Sequence, residues 1–146
     1  MVTSGYMRYH SFNFYRTSHL DIFPPRPIGF LGAHNSPAKR LTHWYRPHTS
    51  DARLPILFIH GIGVGLYPYI DFLHEINAGD SEDPSGGQLG IIAVEIMSVS
   101  SRITGQAMSK EMIGEEICCI VKAHEWEKFV LVSHSWVFLP LAAWQK

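Results

Sequence analysis

The chain has 146 residues, a net charge of −1, 46% hydrophobic residues and 17% charged residues. This balance is that of one ordinary globular domain and excludes the disordered and collagen-like classes. The near-zero charge argues against a nucleic-acid or anionic-membrane partner. The two cysteines, Cys118 and Cys119, are adjacent, which argues against a disulfide framework and makes the cytoplasm the default location.

The N-terminal part of the chain carries no clean hydrophobic periodicity. Residues 1–25 are aromatic and polar, and FPPRP at 23–27 is a stiff, extended segment. The apolar centre of a secretory signal is missing there, and the chain nowhere holds the roughly 18 uninterrupted apolar residues of a membrane-spanning helix. The sequence therefore predicts a poorly ordered arm over 1–40, one domain over 41–146 and no spanning segment.

Four apolar runs predict strands. Three are continuous β-branched and aromatic runs without polar alternation, as expected for strands covered on both faces: LPILFIH at 54–60, GIIAVEIM at 90–97 and KFVLV at 128–132. LTHWYRP at 41–47 predicts a shorter strand. The three continuous runs are the stronger candidates for the centre of a sheet.

Helical patterns separate the three continuous runs. Pro68 fits the first position of a short helix over YIDFLHEI. Ser109 is a candidate N-cap for a helix over 109–125, in which apolar residues recur at helical spacing. Strand and helix alternate with connections long enough for parallel pairing. This order predicts an α/β fold with a mostly parallel sheet and crossover helices.

Two turns at the predicted carboxyl ends of strands carry suggestive residues. In such sheets chemistry lies beyond those ends, where HGIGVG and SHSW both stand. A tight turn would expose the hydroxyl of Ser135 as a nucleophile and offer the backbone N–H of Trp136 to an oxyanion. The glycines of the other turn would let the backbone N–H of Ile62 approach the same oxyanion.

These segments resemble a known family. PILFIHGIGVG, GIIAVEIMSVS and EEICCIVKAHEWEKFVLVSHS are similar, in order and spacing, to the N-terminal half of an α/β-hydrolase over about 41–135. Glu95 stands where that family commonly has an acidic residue after its fourth strand. The resemblance implies a partial α/β-hydrolase fold. It also implies serine-dependent hydrolysis of a small-molecule ester, thioester or amide, with Ser135 as nucleophile and Ile62 and Trp136 as backbone donors.

The sequence departs from that family around and after the serine. Ser133 and Val137 replace the two glycines of the family turn, and Pro140 stands where a helix should continue. The family places its triad acid and histidine after the serine, whereas WVFLPLAAWQK contains no Asp, Glu or His. The expectation is a domain truncated after the strand that carries the serine, and inactive or nearly so. His60 and His134 are the possible stand-in bases.

Other readings compete with hydrolysis. In the family's topology the 128–132 strand would lie at an edge of the part present here, which suggests a non-catalytic interaction module, possible self-association included. His34, His43 and His48 lack the spacing of a metal site. The Gly61-x-Gly63-x-Gly65 run fails the dinucleotide fingerprint, because its third glycine would fall at Leu66. No cofactor and no metal are therefore predicted.

Overall fold

A computed structural model describes residues 2–17, 34–63, 65–78, 87–96 and 108–134. The strands in chain order are β1 Asn13–Arg16, β2 His34–Asn35, β3 Thr42–Arg46, β4 Ile56–Ile59, β5 Ile91–Glu95 and β6 Val130–Ser133. The helices are α1 Val2–Tyr9, α2 Ile70–Ala78 and α3 Lys110–Ala123, and a single 3-10 turn, Tyr67–Tyr69, leads into α2.

The six strands form one mixed sheet in the order β2-β1-β3-β5-β4-β6. Strand β4 pairs in parallel with β5 on one side and with β6 on the other. Strand β3 is antiparallel to β5, and β1 is antiparallel to β3 and parallel to β2. The predicted α/β class and the parallel pairing of the three strongest strands are confirmed.

Both faces of the central strands are buried, because successive side chains of a strand point to opposite faces. Leu57 and Ile59 of β4 pack in one core cluster with helix α3. Phe58, between them, packs in a second cluster with residues of α1 and α2. The helices thus cover the sheet on two sides, which explains why the runs for β4 and β5 are apolar without alternation.

Helix α3 has the predicted boundaries to within two residues. The Ser109 hydroxyl accepts the Met112 N–H at 3.3 Å, so this N-cap is confirmed. The residues buried on its inner face are Ile113, Gly114, Ile117, Ile120 and Val121. Each such aliphatic side chain contributes about 1.5–3 kcal/mol when buried, so packing on the sheet is what stabilises this helix.

The N-terminal residues depart from the expected poorly ordered arm. Residues 2–17 form α1 and β1, and Met7, Phe12 and Phe14 are buried in the second core cluster. The rings of Phe14 and Trp44 lie 4.7 Å apart, which fixes β1 against β3. The sequence showed no periodicity here because the two elements are only eight and four residues long. Residues 18–33 of the predicted arm lie outside the described residues.

No helix in the described part of the chain is long and apolar enough to cross a membrane. Cys118 and Cys119 lie on α3 and form no disulfide.

Candidate active site

The carboxyl ends of three parallel strands meet at one edge of the sheet. Ile59, the last residue of β4, pairs with Ser133 of β6 and with Val94 of β5. The His134 N–H then donates to the Ile59 carbonyl oxygen at 3.2 Å. Neighbouring strands lie about 4.8 Å apart. The HGIGVG turn and the segment that leads to residue 135 therefore leave the sheet side by side.

Ser135 and Trp136 themselves lie outside the described residues, as does Val64 of the glycine turn. Of the three residues that the sequence nominated for catalysis, the structure describes Ile62 alone. The roles of Ser135 and Trp136 stay predictions, and they rest on the position of Ser133 and His134 just before them.

The glycine turn presents its backbone at this edge. Gly63 has φ +147° and Gly65 has φ +79°, conformations that side-chain-bearing residues rarely adopt. Ile62 lies between β4 and these two glycines and is 72% exposed. No acceptor among the described residues takes the Ile62 N–H. An N–H of this kind is a donor that a developing oxyanion can use.

Both ring nitrogens of His60 form hydrogen bonds within the protein. Its Nδ1–H donates to the Gly61 carbonyl oxygen at 2.6 Å, and its Nε2 accepts the Ile96 N–H at 3.0 Å. Burial lowers its pKa, against the opposing effects of the Gly61 hydrogen bond and of the Glu95 carboxylate. With both ring nitrogens bonded, His60 has no lone pair for a serine proton. Its role is to tie the start of the glycine turn to the end of β5.

Glu95 is a buried carboxylate at the same edge. It is the last residue of β5, only 3% exposed, and pairs across the sheet with Thr42 of β3. Its charge acts on His60, as the pKa of that ring shows. The family resemblance singled out Glu95 for its position relative to a strand. The structure adds that this carboxylate acts on the pKa of His60, which precedes the glycine turn.

Tyr69 is a residue that the sequence did not nominate. Its hydroxyl lies 2.7 Å from Nδ1 of His134 in a hydrogen bond, and its ring packs 5.1 Å from the Phe58 ring. The 3-10 turn before α2 is thereby tied to the end of β6. With Tyr69 as donor, the neutral His134 ring keeps its proton on Nε2; with Nδ1–H as donor, Nε2 is free to act as a base. Only the tertiary structure could bring together two residues 65 positions apart.

The three histidines considered as metal ligands contact other side chains or the backbone. His43 is buried and pairs with His124 through their Nε2 atoms, 2.9 Å apart. His48 Nδ1 accepts the Gly90 N–H at 3.0 Å. His34 is exposed, and its ring stacks on Tyr15 at 4.9 Å. Within the described residues, no group of three or more His, Cys, Asp or Glu side chains could hold a metal ion.

Comparisons with known proteins give one structural similarity. The chain matches no protein-family model and no curated protein. Among solved structures it is similar to a membrane phospholipase A, described as a novel bacterial virulence factor, at 14% sequence identity and a TM-score of 0.47. The similarity covers 67% of this chain and 29% of that chain, so this chain spans less than a third of the phospholipase.

Proposed function

We propose that this chain carries the nucleophile and oxyanion half of a serine hydrolase site of the α/β-hydrolase type. The bonds it would act on are esters, thioesters or amides of small molecules. The observation that supports this most is the pairing of Ile59 with Ser133, because it starts the glycine turn and the segment leading to Ser135 at neighbouring points of one sheet edge.

The proposed chemistry is acyl transfer in two steps. The Ser135 oxygen attacks the substrate carbonyl carbon while a base takes the hydroxyl proton, and the carbonyl oxygen becomes an oxyanion. The backbone N–H groups of Ile62 and Trp136 would donate to that oxygen. The intermediate collapses, the leaving group departs with the proton, and an acyl-serine remains. Water then repeats the sequence and releases the acid.

We also propose that this chain on its own has low hydrolase activity. The two histidines at this edge differ from a triad base: His60 has both nitrogens in hydrogen bonds, and the partner of His134 Nδ1 is the Tyr69 hydroxyl and not a carboxylate. A serine without an oriented base is a weak nucleophile. A base supplied by His134 is the one arrangement within the described residues that would raise this activity.

A fluorophosphonate probe tests the proposal, because it reacts covalently with activated serines. The full chain is incubated with the probe, and the adduct is located by mass spectrometry of peptides. We expect slow labelling of Ser135 that Ser135→Ala abolishes. Ser133→Ala is the matched control, since it removes the other serine of the turn and should leave most of the Ser135 adduct.

Two results would contradict the proposal. An adduct yield unchanged in Ser135→Ala would show that Ser135 is not the reactive group. Stoichiometric labelling within minutes would show that a working base is present, and would overturn the low activity while leaving the nucleophile in place.

A second candidate function follows from the position of β6. Within the described residues β6 pairs only with β4, and Val130 has 45% of its side chain exposed. An apolar edge strand without a charge is a template for pairing with a strand of another chain. On this reading the domain is a non-catalytic interaction module that associates with itself.

The mass of the particle in solution tests this second candidate. At tens of micromolar, light scattering should give a dimer or larger species that Val130→Lys converts to the monomer, because a charged edge residue opposes strand pairing. The matched control is Leu54→Lys, which places the same charge at an exposed apolar residue outside the strand. A monomeric unmodified chain at this concentration would rule the candidate out.

A further inference from the structure

Two histidines from different elements face each other where α1 meets α2. His10 follows the last residue of α1 and His74 lies in α2, with 4.4 Å between their ring centres and 63° between their ring planes. The Tyr6 ring lies 4.5 Å from His10 and 6.5 Å from His74. The pair lies beside Met7 and Leu73, which belong to the second core cluster.

The ring nitrogens of this pair are free within the described part of the chain. Neither His10 nor His74 uses its imidazole in a hydrogen bond or an ion pair there. The buried histidines differ, since His43, His60 and His124 each form a hydrogen bond through the ring. Both free rings are partly exposed, so an ion in solution can reach them. A neutral imidazole with a free nitrogen is a ligand for divalent transition metals.

The charges around the pair act in opposite directions. Burial, followed by the neighbouring His74 and the Arg46 guanidinium, lowers the pKa of His10. This ring is therefore neutral at pH 7, which is the form that binds a metal. The Arg46 charge opposes a bound cation, whereas the Asp71 carboxylate, one turn before His74 on α2, favours one. With these charges opposed, the two imidazoles decide whether an ion binds.

The distance between the two rings is that of neighbouring ligands on one metal ion. A metal–imidazole bond is about 2.0–2.1 Å long, and the ring centre lies about 1.1 Å beyond the nitrogen. Two ring centres are then about 4.5 Å apart at a bond angle of about 90°, and about 5.1 Å apart at the tetrahedral angle. The observed 4.4 Å fits the smaller angle, which is that of tetragonal Cu²⁺ and Ni²⁺ sites. Because both rings are partly exposed, rotation of the side chains can direct one nitrogen of each to the same point.

The backbone that carries the two rings is ordered without a metal. Ser11, next to His10, has φ +65°, and the Phe12 N–H donates to the Met7 carbonyl oxygen at 3.0 Å, which makes a Schellman turn at the end of α1. His74 lies inside the regular helix α2. Binding therefore has to order two side chains and no backbone, which keeps its entropic cost low.

We propose that His10 and His74 together bind one Cu²⁺ or Ni²⁺ ion, which joins α1 to α2. The pair supplies two protein ligands, so water fills the remaining positions of the ion. Cu²⁺ should bind more tightly than Ni²⁺ or Zn²⁺, following the general order of affinities for nitrogen ligands. Mg²⁺ and Ca²⁺ prefer oxygen ligands and should not bind here.

Calorimetric titration of the full chain without a histidine tag tests the proposal. The probes are Cu²⁺, Ni²⁺ and Zn²⁺ in a buffer that does not chelate them, and Mg²⁺ is the control. We expect a tightest class of one Cu²⁺ ion per chain, with an affinity in the micromolar range because no thiolate takes part. The electron paramagnetic resonance spectrum of that Cu²⁺ should show coupling to two imidazole nitrogens.

Variants decide whether both rings hold the ion. His10→Gln and His74→Gln should each weaken Cu²⁺ binding at least about tenfold, and the double variant should lose little more, because a chelate is lost with its first ligand. His34→Gln removes an exposed histidine outside the pair and should leave the affinity unchanged. Circular dichroism of each variant confirms that it is folded.

Three results would overturn the proposal. The first is an affinity of the folded His10→Gln or His74→Gln variant equal to that of the unmodified chain. The second is tighter binding of Zn²⁺ than of Cu²⁺, which would contradict the tetragonal geometry. The third is the absence of saturable Cu²⁺ binding.

Discussion

His43 and His124 face each other between strand β3 and the end of helix α3, with 2.9 Å between their Nε2 atoms. Each ring is stacked against a tyrosine: Tyr15 stacks on His43 at 4.6 Å, and Tyr45 stacks on His124 at 3.8 Å. At this distance one ring donates its proton to the other, so the pair is stable with both rings neutral. The end of helix α3 is therefore joined to the sheet by the Tyr45–His124 stack and by the His43–His124 hydrogen bond, while the Tyr15–His43 stack lies between two strands of the sheet.

The free energy of unfolding should fall when the pH drops below about 6.5. Burial, followed by the neighbouring His124, lowers the pKa of His43 from 6.5 to about 3, and burial lowers the pKa of His124 from 6.5 to about 4. Between these values and 6.5 the unfolded chain binds protons that the folded chain does not. Stability is therefore complete above pH 6.5 and is lost as the pH falls toward 4.

Urea unfolding at several pH values between 7.5 and 4 measures this loss. For His43 alone it should reach roughly 3.5 kcal/mol by pH 4, at about 1.4 kcal/mol for each pH unit below 6.5. His124→Gln should reduce the dependence, and His34→Gln, at an exposed histidine of the same cluster, should leave it unchanged. A free energy of unfolding that stays constant from pH 7 to pH 4.5 would contradict the assignment.

Glycine at position 125 should stabilise the chain. Glu125 has φ +59°, its N–H donates to the Lys122 carbonyl oxygen, and the Trp126 N–H donates to the Val121 carbonyl oxygen. This is a Schellman turn with glutamate at the position where glycine is preferred. Glu125→Gly should raise the free energy of unfolding by about 0.5–1 kcal/mol, because the left-handed conformation no longer strains a side chain.

Glu125→Ala is the control for that change, since alanine removes the charge but keeps the Cβ atom. Chemical denaturation of the three proteins side by side separates the two effects. Equal stability of the alanine and glycine variants would show that the charge, and not the backbone conformation, is what matters at this turn.

Two glycines should respond in opposite ways to alanine. A Cβ atom on Gly90 would meet the side chain and backbone of His48 and would lie 2.9 Å from the Trp126 ring. Gly90→Ala should therefore destabilise the chain by roughly 1–3 kcal/mol, the typical range for overpacking. At Gly114, inside α3, the added Cβ atom meets no atom of the described residues within 4 Å, and Gly114→Ala should stabilise the chain by about 0.5–1 kcal/mol.

Thermal unfolding of both variants checks this contrast. The change at Gly90 also tests the hydrogen bond between the Gly90 N–H and His48, which the added methyl group would displace. A Gly90→Ala variant as stable as the unmodified chain would show that the loop before β5 can shift to make room.

Proline at position 62 should slow the reaction of Ser135 with a fluorophosphonate. The substitution removes the backbone N–H that is proposed to stabilise the oxyanion, and such a loss typically costs about 3 kcal/mol, or about 100-fold in rate. Ile62→Ala keeps the N–H and removes most of the exposed side chain, so it should react at nearly the unmodified rate.

The comparison of these two rates, together with the melting temperature of each variant, isolates the backbone contribution. If proline and alanine slow the labelling equally, then the Ile62 N–H takes no part and the glycine turn is only a structural element.

The sequence by itself determined the centre of this fold. The strands β4, β5 and β6 and the helix α3 with its Ser109 cap were all predicted, because uninterrupted apolar runs and helical spacing are local signals that burial imposes on neighbouring residues. The adjacency of the glycine turn and the end of β6 followed as well, since parallel strands end at the same edge.

The tertiary structure decided what depends on contacts between distant residues. The entry of β1 into the sheet, the pair of His43 with His124 and the bond of Tyr69 to His134 each depend on contacts between residues far apart in the sequence. A histidine or tyrosine has several possible partners in the sequence, and its role is fixed only when packing brings one of them within hydrogen-bonding distance.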